Sequence, residues 1–309
     1  MIKKIISLLA AAVFCFAGCA DDAAADGGYT FTDDFGRTVT VTSHERTAVL
    51  LGSFADVWTL AGGEICASAA DAWEDFELAL PETTVNLGSL KTLSLEGLFA
   101  AEPDFVIAGT RNHQDAAWQE TLDAAGITAA YFDVLSFDDY LHMLKICTDI
   151  TGREDLYEKH GTDVRDTVEK TIADAEKRVA ENGASTVLLL RAAASGVKAK
   201  GSEGTVLGEM LADLGCVNIA DSEESLLENL SLESILTADP DRIFVVPMGG
   251  DTEESRAIME AMFAENPAWN ELTAVREGRI YYMDKRLYNL KPNARWGEAY
   301  EKLEAILAE

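Results

Sequence analysis

The sequence predicts an α/β protein built from two Rossmann-like lobes with mainly parallel sheets, joined by one long helix, with a ligand cleft between the lobes. Three observations predict this fold: a segment that occurs twice, strands that alternate with helices, and a long charged helix between the two halves. The repeated segment runs over residues 93–107 and again over 230–246, and each copy contains Leu-Ser-Leu-Glu, then Pro-Asp, then an apolar strand. The copies lie about one domain length apart, so we expect two similar lobes. Chance similarity is the alternative, because Leu, Ala, Asp and Pro are common where a helix gives way to a strand.

Strand and helix patterns alternate through both halves of the chain. In the first half we predict a hairpin over 29–41, strands at 48–51, 65–69, 105–108 and 127–132, and helices at 54–61 and around Leu95, Trp118 and Leu141. In the second half we predict strands at 186–190, 243–246 and 279–283, and helices at 206–214, 257–263 and 294–307. Alternation at this spacing indicates parallel sheets covered by helices on both faces.

The helix between the halves is predicted over residues 155–181. Apolar residues recur there near helical spacing among many charges, with Gly152 before the stretch and Gly183 after it. At 1.5 Å per residue this helix is roughly 40 Å long. The predicted domain limits are therefore a first lobe over 29–150, a bridging helix over 151–183 and a second lobe over 184–309.

The N-terminus predicts export and a lipid anchor. Residues 1–18 have a signal peptide's short positive start and an apolar run too short to span a bilayer. The run ends in Phe16-Ala17-Gly18-Cys19, which resembles the lipobox of bacterial lipoproteins, so Cys19 is the expected lipidation site that holds the protein to the cell membrane. An ordinary secretory peptide with an incidental cysteine is the alternative. The small and acidic residues 19–28 are predicted to form a flexible tether.

The formal net charge of −29 at pH 7 limits the classes of partner. Such an acidic surface argues against nucleic acid and against a basic patch that binds anionic lipid. Solubility outside the cell is the simplest meaning of the charge, and we expect a monomer.

The cysteines other than Cys19 give no sign of a disulfide framework. Cys66, Cys147 and Cys216 are scattered, odd in number and mostly flanked by apolar residues, so we predict buried free thiols. The chain has no Cys-x-x-Cys pair and no Cys/His spacing for zinc.

Five segments together carry a resemblance to one family. They are the lipobox, the opening Phe31-Thr-Asp-Asp-Phe-Gly-Arg-Thr-Val-Thr-Val41, the doubled Ser-Leu-Glu…Pro-Asp unit, the central helix, and Tyr288-Asn-Leu-Lys-Pro-Asn-Ala-Arg-Trp296. With these segments the chain resembles the substrate-binding lipoproteins of ABC importers, in the helix-bridged class that delivers iron-siderophore, haem or cobalamin complexes. The resemblance extends over nearly everything after the tether and points to the family more than to the ligand.

The resemblance implies where ligand and permease bind. The ligand would lie in the crevice at the carboxyl ends of both sheets, and the two lobes would move only modestly about the helix. A surface glutamate on each lobe docks to arginines of the permease in this family, and the matching positions are Glu96 and Glu233. A glutamate in the first turn of a helix, favoured by the macrodipole, is the alternative for each.

Loops after the predicted strands supply the candidate ligand-binding residues. In the first lobe these are Phe54, Trp73, Lys91, Arg111 and His113, and in the second Arg191, Lys198, Met248, Tyr288, Asn289, Arg295 and Trp296. The basic residues in or beside these loops are Lys91, Arg111, Arg191, Lys198, Lys200, Lys285, Arg286, Lys291 and Arg295. This concentration of positive charge on an acidic protein favours an anionic or carboxylate-bearing ligand, unless the loops are basic only because loops are polar.

Aromatic candidates could form apolar walls for a flat or catecholate ligand, or could belong to the core. They are Phe54, Trp73, Tyr288 and Trp296. By contrast, Trp58, Trp118 and Trp269 fall in helical stretches and are predicted to be structural.

His113 and Met248 fall near each other when the two repeats are aligned. Such a pair could supply the axial ligands of a haem iron, although a lone loop histidine is more often a surface residue. The other histidines are too dispersed for a bare zinc or manganese site, so no cofactor is expected.

The sequence offers no enzyme motif, because GxSxG, HExxH, the Walker loop and GxGxxG are all missing. We therefore expect a non-enzymatic binding lipoprotein that captures a metal chelate, an anionic ferric siderophore before cobalamin or haem, for an ABC permease. A ligand-sensing surface lipoprotein and an enzyme without a recognisable motif are the alternatives.

Overall fold

Two separate five-stranded sheets form the framework of the molecule. The computed structural model describes residues 27–222, 224–249 and 252–309, so the predicted signal peptide, Cys19 and most of the tether lie outside the described residues. The strands are β1 Tyr29–Thr32, β2 Thr38–Val41, β3 Thr47–Val49, β4 Ile65–Ser68, β5 Val85–Asn86, β6 Phe105–Gly109, β7 Thr128–Phe132, β8 Thr186–Ala193, β9 Gly196–Lys200, β10 Val217–Asn218, β11 Arg242–Pro247 and β12 Ile280–Tyr282. The first sheet has the order β5-β4-β3-β6-β7 and is wholly parallel. The second has the order β10-β8-β11-β12, also parallel, and β9 adds to β8 in the antiparallel sense. The predicted fold class of two lobes with mainly parallel sheets is confirmed.

Helices connect the strands, as the alternating pattern predicts. They are α1 Gly52–Leu60, α2 Asp71–Glu74, α3 Leu95–Ala100, α4 His113–Ala124, α5 Phe137–Thr151, α6 Glu154–Tyr157, α7 Asp163–Asn182, α8 Val206–Asp213, α9 Glu224–Asn229, α10 Leu232–Ala238, α11 Thr252–Glu265, α12 Thr273–Arg276, α13 Lys285–Tyr288 and α14 Trp296–Leu307. None of the helices within the described ranges is long and apolar enough to cross a membrane.

The segment between the sheets is helical almost throughout, but it contains an irregularity. A π-helical turn over Glu158–Thr162 separates α6 from α7. Gly161 lies in this turn, where an added Cβ would come 3.0 Å from the ring of Tyr157, so a larger residue would push against the tyrosine. We keep 29–150, 151–183 and 184–309 as a prediction of the domain limits.

The core connects both sheets to the helices between them. Alternate residues of β8 serve two apolar clusters, because Val187 and Leu189 join the central one and Leu188 and Leu190 the outer one of the second lobe. The central cluster also contains residues of α5, α7 and α14 and of the first sheet. Trp58, Trp118 and Trp269 are buried, as predicted. Cys66, Cys147 and Cys216 are free thiols, of which only Cys147 is fully buried.

The N-terminal hairpin closes the outer edge of the first sheet at β7. The backbone N–H of Asp34 donates to the carbonyl of Tyr131 at 2.9 Å, and the Arg37 guanidinium donates to the carbonyl of Ala129 at 2.8 Å. The carboxylate of Asp33 accepts from the backbone N–H of Tyr131 at 3.3 Å and from the Arg37 guanidinium at 2.7 Å. Backbone and side-chain groups of the turn thus take the place of a neighbouring strand and satisfy hydrogen-bonding groups of the sheet edge. This gives the Thr-Asp-Asp-Phe-Gly-Arg segment a structural role.

Replacing Asp33 with alanine should destabilise the protein by about 3 kcal/mol, because the change leaves Arg37 without its buried partner. Urea unfolding measures the effect. The matched control is Asp155→Ala, which removes an exposed pair with Arg153 and should change little. Equal losses in the two variants would contradict the edge-closing role.

Candidate functional site

The two lobes meet where the chain over 284–293 reaches the amino end of α1. Arg286 forms an ion pair with Asp56 at 2.7 Å, and Lys285 forms one with Asp75 at 2.6 Å. The side-chain amide of Asn293 donates to the carbonyl of Ser53 and to the carboxylate of Asp56, both at 2.8 Å. We call these contacts the junction. It lies at the carboxyl end of the first sheet, which is the usual ligand-binding edge of such folds.

The nine basic residues predicted for the cleft divide into paired and unpaired side chains. Lys285 and Arg286 are neutralised at the junction, Arg111 pairs with Asp133 at 2.6 Å, and Arg295 pairs with Glu298 at 2.6 Å. Within the described parts of the chain, the remaining five have no ion pair: Lys91, Arg191, Lys198, Lys200 and Lys291. These unpaired cations are the ones that can meet an incoming anion.

Three of the unpaired cations share one face of the β8–β9 hairpin, and we call them the cationic strip: Arg191, Lys198 and Lys200. Arg191 lies opposite Lys198 in the ladder, and Lys200 lies opposite Leu189, two residues before Arg191 on the same face. The Nε of Arg191 is buried without a hydrogen-bond partner among the described residues. Burial lowers the pKa of Arg191, and burial followed by the charges of its two neighbours lowers the pKa of Lys200. A counter-ion from outside the protein would relieve both effects.

Lys291 brings a further positive charge to the junction. It borders a hollow of about 40 Å³, together with Phe54, Arg111 and Asp133 of the first lobe. Its ammonium lies 5.7 Å from the centre of the Phe54 ring. Burial lowers the pKa of Lys291, and the nearby charge of Asp133 acts in the opposite direction.

Most of the aromatic candidates are buried, which favours core residues over cleft walls, the two roles that the sequence left open for them. Trp296 is 0% exposed and packs against Phe137, with ring centres 5.8 Å apart. Tyr288 is buried and donates to the carbonyl of Ala299 at 3.0 Å. Phe54 is also buried, with its ring toward Lys291, whereas Trp73 is partly buried.

The other candidates occupy varied positions. Met248 is 54% exposed directly after β11, Lys91 is exposed and Asn289 is partly buried. His113 is the first residue of α4. Axial haem ligation by His113 and Met248 stays a prediction.

Two carboxyl groups of the first lobe, Asp115 fully buried and Asp71 partly buried, were not singled out from the sequence. Asp115 accepts the backbone N–H of Gly109 at 3.0 Å, and Asp71 accepts that of Gly52 at 2.9 Å. The second oxygen of each is buried without a partner among the described residues. Burial raises the pKa of Asp115 to about 7 and that of Asp71 to about 6. Each aspartate lies in the first turn of a helix that follows a strand. Exposed aspartates are also common at this position, so the sequence alone does not distinguish these two.

Glu96 and Glu233 occupy equivalent positions in the two lobes. Each follows an N-cap serine by two residues, since the Ser94 hydroxyl accepts from the Gly97 N–H and the Ser231 hydroxyl from the Ser234 N–H. Both glutamates are exposed and have no ion pair with the described residues. Because α3 and α10 each connect parallel strands, their amino ends lie at the carboxyl edges of the sheets. The two glutamates therefore lie at the same edges of the sheets as the candidate site.

Comparisons with known proteins find similarity over most of the chain. A family model described as periplasmic binding protein matches residues 48–287. The Fe(3+)-citrate-binding protein YfmC of Bacillus subtilis is 25% identical over 262 residues, which cover 82% of this chain and 77% of that protein. YhfQ of the same organism, whose name places it among ABC transporter substrate-binding lipoproteins, is 24% identical over 220 residues, which cover 67% of this chain and 64% of YhfQ. The crystal structure of Staphylococcus aureus SirA complexed with staphyloferrin B shares the fold, with a TM-score of 0.68, 19% identity, and coverage of 90% of this chain and 98% of that one.

The buried carboxyl of Asp115 should make stability depend on pH. Its folded pKa of about 7 exceeds the ordinary value of 3.8, so the stability it contributes is present at low pH and is lost as the pH rises through about 7. Asp115→Asn should therefore be more stable than the wild type at pH 8, by on the order of 2 kcal/mol, and by much less at pH 4. Urea unfolding at both values tests this, with the exposed Asp123→Asn on the same helix as control. If Asp115→Asn exceeded the wild type in unfolding free energy by no more at pH 8 than at pH 4, the predicted pH dependence would be wrong.

Proposed function

Because the chain belongs to the periplasmic binding protein family, we propose that it is an extracytoplasmic substrate-binding protein that captures an anionic metal chelate for an ABC permease. The cationic strip carries this proposal. Its three positive charges have no counter-ion among the described residues, on a protein whose formal net charge is −29. Arg191 and Lys200 are partly buried, and such cations without partners are costly unless a ligand neutralises them. Arginine also pairs with carboxylates through two parallel hydrogen bonds.

The chelate that fits best is a ferric complex with carboxylate or catecholate groups, hence a ferric siderophore or ferric citrate. The name of YfmC connects one relative with Fe(3+)-citrate, which supports this class of ligand. A neutral cobalamin would not need the cationic strip. Capture and release then require no catalysis by the protein, so we propose a binding protein rather than an enzyme.

The permease is the proposed macromolecular partner, and Glu96 and Glu233 are the proposed contacts. Two exposed carboxylates in matching positions, one on each lobe, can pair with two cations on the permease and so fix the orientation of docking. We also propose that a lipid on Cys19 holds the protein to the membrane as a monomer.

Loss of the arginine in the cationic strip should weaken chelate binding. Arg191→Gln is expected to lower the affinity for ferric citrate, or for whichever anionic ferric siderophore binds tightest in a panel, at least tenfold, which is ~1.4 kcal/mol. Tryptophan fluorescence titration measures the affinity. Arg295→Gln is the control, because Arg295 is already neutralised by Glu298. Wild-type affinity in Arg191→Gln would remove the basis of the proposed ligand class.

Reversing the charge of both docking glutamates should separate binding from transport. The double variant Glu96→Arg/Glu233→Arg is expected to bind the chelate with wild-type affinity and yet to lose most uptake of radioactive iron by cells. Glu102→Arg combined with Glu228→Arg reverses two other exposed glutamates, one on each lobe, and serves as control. Normal uptake in the first double variant would rule out docking through these residues.

A further inference from the structure

Lys291 belongs to the second lobe and lies against residues of the first lobe, where its ammonium has no counter-ion among the described residues. Its ammonium makes no ion pair or hydrogen bond with any described residue, although it lies beside the Phe54 ring and is only partly exposed. The neighbouring carboxylates are engaged elsewhere. The Asp133 carboxylate pairs with Arg111, while its backbone N–H donates to the carboxylate of Asp34. One oxygen of Asp71 accepts the N–H of Gly52.

The backbone that carries Lys291 is fixed on both sides. Arg286 donates from Nη1 to the carbonyl oxygen of Lys291 while its other terminal nitrogen pairs with Asp56 of the first lobe. Pro292 follows, and then Asn293, which is fully buried, has a φ of 56° and is tied to Ser53 and Asp56. The position of Lys291 is therefore set by the contacts that join the lobes, and its freedom to find another partner is small.

We propose that Lys291 determines specificity, because its ammonium binds an anionic chelate at the junction. The chelate supplies the counter-ion that Lys291 lacks and contacts both lobes. This rests on the proposed function. The cationic strip belongs to the second sheet, whereas Lys291 lies against Phe54, Arg111 and Asp133 of the first. A ligand that spans the two would be held by cations at both walls of the cleft.

Removing the charge of Lys291 should stabilise the ligand-free protein and weaken ligand binding. A lysine with only a structural role would not give these opposite effects. A partly buried ammonium without a partner destabilises the ligand-free protein, because its lost hydration is not replaced. Removing the charge should relieve that cost and at the same time remove an attraction for the ligand.

The test compares Lys291→Met with Lys145→Met. Lys145 is a matched control, because its ammonium also lies near an aromatic ring, 5.8 Å from the centre of the Tyr157 ring, but it has an ion pair with Asp149. Urea midpoints are measured without ligand, and affinities are measured by titration with ferric citrate and with the tightest-binding anionic ferric siderophore of a panel. Lys291→Met should raise the midpoint and weaken binding at least tenfold, Lys145→Met should not raise the midpoint and should bind normally, and Lys291→Arg should retain affinity.

Other outcomes would distinguish the role of Lys291 from the proposed function of the protein. Wild-type affinity in Lys291→Met, or a lower midpoint in its ligand-free form, would overturn the role of Lys291 and leave the proposed function standing. Failure of the wild-type protein to bind any anionic ferric chelate would instead overturn the proposed function, and the inference with it.

Discussion

The pairing of Arg286 with Asp56 is the interaction on which the arrangement of the two lobes most depends. Asp56 lies on α1, which packs in the central apolar cluster, and it also accepts the amide of Asn293. One carboxylate therefore holds two points of a segment that belongs to the second lobe. Ion pairs that are only about one fifth exposed on each side, as here, are less weakened by salt than surface pairs. Together with the apolar cluster that includes residues of both sheets, this contact holds the segment over 284–293 against α1.

Charge pairing also explains how an acidic protein can attract an anion. Positive side chains near the site fall into two groups, those that hold the structure together and those that lack a partner. The first group contributes little field beyond its own carboxylates, whereas the second keeps its full charge. Carboxylates that are exposed, such as Asp123 and Glu228, are screened by water and salt. A local positive field can thus persist inside a strongly negative molecule.

Much of the fold could be predicted from the sequence, because long periodic segments carry their own signal. Apolar spacing predicts the helices around Leu141 and Val206 and the parallel strands, and the tertiary contacts of these elements favour the same structure. Strand β9 was missed, because Gly196–Lys200 is short and charged and its partner is decided by the turn before it. The π-helical turn was missed too, since a single extra residue leaves the helical periodicity almost unchanged.

The candidate site was harder to predict, and particular residues show why. Basic residues could be assigned to the cleft region by their position after strands, but the sequence does not reveal which carboxylate neutralises Arg295 or Lys285. Tyr288 and Trp296 are aromatic residues of the kind that line binding sites, but both are buried in the core. Asp115 appears in sequence as one acidic residue among many, and only its burial distinguishes it.

Closure of the β7 edge by the hairpin turn has a consequence for the order of folding. The atoms that satisfy this edge come from Asp33, Asp34 and Arg37, and their partners lie 92 to 99 residues further along the chain. The hairpin therefore cannot be anchored until the strand that contains Tyr131 is in place. Seating the hairpin is therefore a long-range step in the folding of the first lobe, and contacts of such sequence separation form slowly.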